Sequence, residues 1–194
     1  MWKEQHKIDH ERHYQSPQVY AVWNEKVHFL REAAEENAFD SDYFLWTDIG
    51  SFRDADRVKH LTTFPDTRVT ATLLGTKKIF FLQMGRFTES DRIIGANGLP
   101  KQNFQHHVRL GAGIFGGHLD AVREYHARFF ETLEKMRLHG IFVGKEQNVM
   151  SSVAVMYPQL IKLVDPQPYL NGGDAWFYSQ YYFSKRNLTA KELE

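Results

Sequence analysis

Tyr43-Phe44-Leu45-Trp46-Thr47-Asp48-Ile49-Gly50-Ser51-Phe52-Arg53 is the stretch on which the fold turns. The apolar run up to Trp46 reads as a buried strand, and Gly50 reads as the turn that follows it. In open α/β sheets, ligands sit outside the carboxyl ends of such strands. A carboxylate leaving the strand, Asp48, with the cation Arg53 close behind, is therefore placed to meet a metal ion or a phosphate. A strand-end carboxylate is equally a turn former that bonds its own backbone. The segment by itself leaves both readings open.

On the N-terminal side, Ser16-Pro17 is a helix start, with Ser as cap and Pro at the first helical position. Val19, Trp23, Val27, Leu30 and Ala34 recur at helical spacing over 17–36, with Asn24, Glu25, His28, Arg31, Glu32 and Glu35 on the other face. A helix feeding a buried strand is half of an α/β unit. Residues 1–16 are polar and carry His6, His10 and His13. His6 and His10 fall one helical turn apart, as a metal pair would, but with no third ligand evident the stretch reads as a solvated, fraying start.

On the C-terminal side, a short helix is expected over 53–61. Strands are expected over 69–74, 78–84, 141–143, 160–164 and 176–183. Residues 90–105 read as a long surface loop. Leu119, Val122, Tyr125, Phe129, Leu133 and Met136 share one face of a long helix ended by Gly140, and a further helix opens at 144–148 and stops before Pro158. The sum is one α/β domain over 17–184, a mixed, mainly parallel sheet flanked by helices, between a polar segment (1–16) and a polar tail (185–194).

The composition narrows the function. Lys plus Arg equals Asp plus Glu at 24 each, so no global field favours nucleic acid or an anionic membrane, and any phosphate site must be local. There is no Cys, which removes disulfides, thiolate metal sites and thiol nucleophiles. No apolar stretch approaches the ~20 residues of a membrane span, and the start lacks a secretory leader. The expectation is a cytoplasmic protein; the sequence is silent on oligomeric state.

Gly111, Gly113 and Gly116 spell the G-x-G-x-x-G of dinucleotide sites, but the helix starts after the motif and no strand-end acid follows at the required distance. A Gly-rich turn brought close to a ligand or a neighbouring strand is the better reading. Lys145-Glu146-Gln147 forms a second carboxylate-bearing turn, at a helix N-terminus. Glu146 there suits a general base on a hydroxyl and Gln147 a sugar or water contact, or Glu146 merely complements the helix dipole. His106, His107 and His118 flank the Gly-rich turn as surface or capping residues. A G-x-S-x-G elbow and a P-loop are both missing.

Taken together, Val22-Trp23-Asn24-Glu25-Lys26, Phe44 to Arg53, Gly111 to Gly117, and Val143-Gly144-Lys145-Glu146-Gln147 resemble the HtrL/YibB-like family, which is similar to GT-A glycosyltransferases. The resemblance implies a GT-A-like fold with a shortened N-terminal nucleotide-binding part, since only about 40 residues precede the Asp48 strand. It implies metal-assisted transfer of a sugar from a nucleotide-sugar donor to a saccharide hydroxyl, or a non-catalytic carbohydrate- or protein-binding domain derived from that fold. In the first case Asp48 would hold Mn²⁺ or Mg²⁺ on the donor diphosphate, Arg53 would bind the phosphates, and Glu146 would be catalytic. Trp46, Gly113, Gly116, Gly117 and Gln147 would line the acceptor side. The second acid of a D-x-D is absent, Gly50 standing in its place.

Overall fold

A computed structural model describes residues 1–59, 61, 63–167 and 174–193. Helix α1 (Trp2–Lys7) leads to α2 (Pro17–Glu36), then strand β1 (Tyr43–Thr47). A 3₁₀ turn (Ile49–Phe52), α3 (Ala55–Lys59) and α4 (Thr67–Leu74) precede β2 (Ile79–Gln83). Then come β3 (Leu110–His118), α5 (Leu119–Leu138), α6 (Glu146–Met156), β4 (Ile161–Val164), α7 (Tyr178–Tyr182) and α8 (Ala190–Leu193).

The four strands form one sheet in the order β1-β3-β2-β4. Strand β3 runs antiparallel to both β1 and β2, and only β2 and β4 are parallel. The sheet is mixed as expected, but it is not mainly parallel. The difference comes from 111–117, which is no turn but most of a central strand. Glycine is what lets that strand fit: a Cβ on Gly116 would lie 2.0 Å from Phe44 O, and one on Gly117 2.4 Å from Lys78 O. The sheet separates two apolar layers. Val27, Leu30, Phe81, Tyr125, Phe129 and Val149 pack on one face, under α2, α5 and α6. Val69, Leu73, Phe80, Leu82, Tyr182 and Phe183 pack on the other, under α4 and α7.

Helix α2 begins at Ser16-Pro17 and ends at Asn37, which adopts a left-handed φ of 42°. One residue on it faces the wrong way for the expected pattern. Asn24 is buried, its amide donating to Tyr20 O, Val143 O and Gly144 O at 2.9, 3.1 and 3.2 Å.

Three expected strands are something else. Residues 69–74 belong to α4, because Asp66 caps the helix by accepting from Val69 N–H at 2.9 Å, and this local bond outweighs the strand preference of Val and Thr. Residues 176–183 form the end of a 3₁₀ turn, α7 and its C-cap Phe183, and their aromatics pack on Phe80, Phe183 at 4.7 Å and Tyr182 at 5.4 Å between ring centroids. Residues 141–143 join no ladder; Val143 N–H donates instead to Gln5 Oε1 at 2.7 Å.

That last bond also corrects the reading of the chain's start, which is docked rather than frayed. Gln5 and Asp9 are buried, and Asp9 accepts from the Tyr20 hydroxyl at 2.5 Å. His6 Nε2 faces Arg12 O and Gln15 O at 3.1 Å while His10 lies against His106, so the two histidines do not converge. The tail is likewise held: Arg186 reaches Glu192 at 2.6 Å and Tyr182 O at 3.2 Å. That pairing, with the Thr189 amide and hydroxyl, pulls the Glu192 carboxyl down to about 2.

Candidate functional site

A cavity of about 510 Å³ opens at the end of β1. Its wall is built from segments far apart in sequence: Lys26 on α2, Asp48 and Arg53 around the 3₁₀ turn, Ala112 and Gly113 on β3, Glu146 and Gln147 at the start of α6, and Trp176.

Each side chain has a local reason for its position. Asp48 is the first residue past β1, and its N–H donates to Gly113 O at 2.7 Å, prolonging the ladder. Its backbone opens the 3₁₀ turn while its carboxylate caps nothing. The turn-former reading therefore fails for the side chain, which turns instead to Trp46 Nε1–H at 2.7 Å and to Lys26. Across from it, β3 bulges. Phe81 pairs with Phe115 but Leu82 pairs with Gly111, so residues 112–114 have no partner on β2. Such a bulge re-aims the strand, and here it brings Ala112 and Gly113 to the cavity wall. A Cβ on Gly113 would meet only Asp48 Oδ2, at 3.8 Å.

The centre of the site is Lys26. Its ammonium lies 3.0 Å from Asp48 Oδ1, 3.1 Å from Asp48 Oδ2 and 3.1 Å from Glu146 Oε1. The Lys26 and Glu146 side chains are 9% and 7% exposed, that of Asp48 42%, so the group is buried at one end and open to the cavity at the other. Burial pushes the Glu146 carboxyl above its ordinary value, and the nearby ammonium only partly offsets this. Asn24 holds the carbonyls of Val143 and Gly144, and Gln5 holds the Val143 amide, which together fix the turn that presents Glu146.

The structure thus brings Asp48, Arg53, Gly113, Glu146 and Gln147 to one cavity. Arg53 stacks over Phe177, 5.7 Å from the ring centroid, and Gln147 donates to Leu110 O at 2.8 Å. Trp46 stands behind Asp48 as its hydrogen-bond donor and is not part of the cavity wall. Gly116 and Gly117 do not line it either; they lie against the backbones of β1 and of the residue before β2, where only glycine fits. The G-x-G-x-x-G opens no helix, because β3 runs through it. His118 caps α5 by accepting from Asp120 N–H at 3.2 Å.

Sequence reasoning missed Lys26, Trp23, Gln15, Lys145 and Trp176 on this wall. Lys26 left a faint signal: it stands three residues after Trp23 and four before Leu30, a cation inside the stripe that α2 buries.

The residues do not fit a divalent cation shared by the two acids. Such an ion wants oxygen ligands at ~2.0–2.6 Å and six or more of them. Here the space between the carboxylates is filled by the ammonium, and among the described residues no three His, Asp or Glu side chains converge to hold a metal. No described helix is long and apolar enough to cross a membrane.

Comparison with known proteins gives one finding. A family model described as "Bacterial protein of unknown function (HtrL_YibB)" matches residues 2–184. No curated protein and no solved structure matches the chain.

Proposed function

The chain belongs to the HtrL/YibB family, and from that membership and the chemistry of its cleft we propose that it transfers a sugar from a nucleotide-sugar donor to a saccharide hydroxyl on a GT-A-like scaffold. The observation that carries the reading is the meeting of Asp48 and Glu146 on Lys26 at the wall of a cavity that Arg53 also lines. Glu146, with its affinity for a proton raised, is suited to take the proton of the acceptor hydroxyl as its oxygen bonds to the anomeric carbon. The bond from that carbon to the diphosphate oxygen breaks, and Arg53 compensates the charge left on the diphosphate. Asp48 positions Lys26 and offers its exposed edge to a sugar hydroxyl. Trp23 and Trp176 give the cavity flat apolar faces against which a sugar or a base can lie.

Those same aromatic faces favour the second reading, a carbohydrate-binding domain without turnover. Thermal shift with UDP, GDP, NAD and oligosaccharides separates the two, since a ligand that binds the folded state raises its melting temperature by mass action. A shift with one nucleoside diphosphate, lost in Arg53→Ala without loss of the fold, is the expected result. A response to oligosaccharide alone would replace the transferase by the binder, and a response to NAD alone would remove both.

A further inference from the structure

We propose that Lys26 is the resident cation of this cleft, standing where a divalent ion would otherwise bridge Asp48 and Glu146, so that the protein takes up its anionic ligand without metal. That the ligand is a nucleotide diphosphate rests on the function proposed above; that the cation is Lys26 does not.

An ammonium carries three N–H donors and no acceptor. Three carboxylate oxygens lie within 3.1 Å of Lys26 Nζ, two from Asp48 and one from Glu146, so the head group is clamped between both carboxylates. Its stem is buried in the inner face of α2, which anchors it as a fixed part of the wall rather than a mobile surface charge. The Trp46 ring lies 5.9 Å from Nζ and closes another side. A metal ion entering between the acids would have to expel the ammonium from all three contacts and leave it buried without a partner. Arg53 lines the same cavity and is the side chain placed to supply positive charge to a phosphate group; Lys145, also on the wall, is paired with Glu11 at 2.7 Å.

Direct titration of the whole protein with Mn²⁺, following the free ion by electron paramagnetic resonance, tests the cation claim. Wild type should show no saturable binding in the micromolar range. Lys26→Ala and Lys26→Gln vacate the space between the two carboxylates and should bind Mn²⁺ about tenfold tighter or better, a gain of ~1.4 kcal/mol, and adding Asp48→Asn should abolish it. Saturable wild-type binding that Asp48→Asn removes would overturn the proposal. So would Lys26 variants that fold, by circular dichroism, yet bind Mn²⁺ no better than wild type. Should neither variant fold, the wild-type titration still decides. The UDP and GDP thermal shifts are then compared in EDTA and in Mn²⁺. Equal shifts are expected, and a shift requiring Mn²⁺ would overturn metal-free binding. No shift in either condition strikes the sugar-transfer reading and leaves the Mn²⁺ result standing.

Discussion

Two substitutions at the centre of the cleft should act in opposite ways on stability. Lys26→Met leaves Glu146 buried as an uncompensated carboxylate. Breaking a buried pair costs about 3–5 kcal/mol, and because Asp48 is partly exposed the expected loss is near the lower figure, about 3 kcal/mol by urea denaturation. A loss under ~1 kcal/mol would show that the ion pair is no structural element. Glu146→Gln is different. The folded protein raises that carboxyl above 4.5, so it holds the proton more tightly than the unfolded chain does. Its contribution to stability is present below 4.5 and fades as pH rises through the folded-state value. Glu146→Gln should therefore flatten that decline and leave the melting temperature at pH 7 no lower than wild type, while the proposed sugar transfer is lost. A drop of several degrees at neutral pH would mean the ionised group is a net stabiliser. The sequence showed the two acids of this cluster by their places at the ends of apolar runs. It hid the lysine, because what makes Lys26 special lies across the fold on β1 and α6, and local spacing carries no record of that.

Strand β3 divides its glycines between two tasks, and substitution should separate them. Gly116→Ala and Gly117→Ala drive a Cβ into backbone oxygens and should each cost about 2–3 kcal/mol, read as a lowered denaturation midpoint. Gly113→Ala meets only a side-chain oxygen at 3.8 Å, so its stability should hold and its effect should fall on ligand binding. Equal stabilities for all three variants would refute this division. Helices α2 and α5 meet at His28 and His126, whose ring nitrogens are 3.3 Å apart. Burial first, then Arg31 and His28, depress the His126 pKa below 6.5. The folded state therefore resists protonation there, and stability should fall as pH drops below 6.5; His126→Gln should lessen that slope in melting curves between pH 7 and 5. Elements with a clean apolar period, α2 and α5, were legible from the sequence, as were the short buried runs β1, β2 and β4. Strand β3 was not, because glycines show no side-chain alternation. Helix α4 was not, because its β-branched residues suit a strand and only the Asp66 cap tips them into a helix.

At the scale of the whole chain, the N-terminal segment is part of the site's support. Gln5 holds the Val143 amide, Asp9 the Tyr20 hydroxyl, and Glu11 pairs with Lys145 at 2.7 Å, next to Glu146. Removing residues 1–13 should cost roughly 2 kcal/mol, a melting temperature lower by about 4–8 °C for a domain of this size, and should abolish the diphosphate shift. An unchanged melting curve would make the segment an appendage. The other side of the cleft depends on residues near the opposite end. Gln180 donates to Ser51 O at 2.6 Å, Phe183 O accepts from Asp66 N–H at 2.8 Å, and Lys185 N–H donates to Thr63 O at 3.1 Å, so this stretch straps down the turn that follows Asp48. Translation proceeds from one terminus to the other, and domains fold as their residues emerge. A nascent chain can thus assemble α2, the first three strands and α5 while the strap is still inside the ribosome. The cleft would be completed last, and until then the apolar surface over Phe80 would be exposed to chaperones.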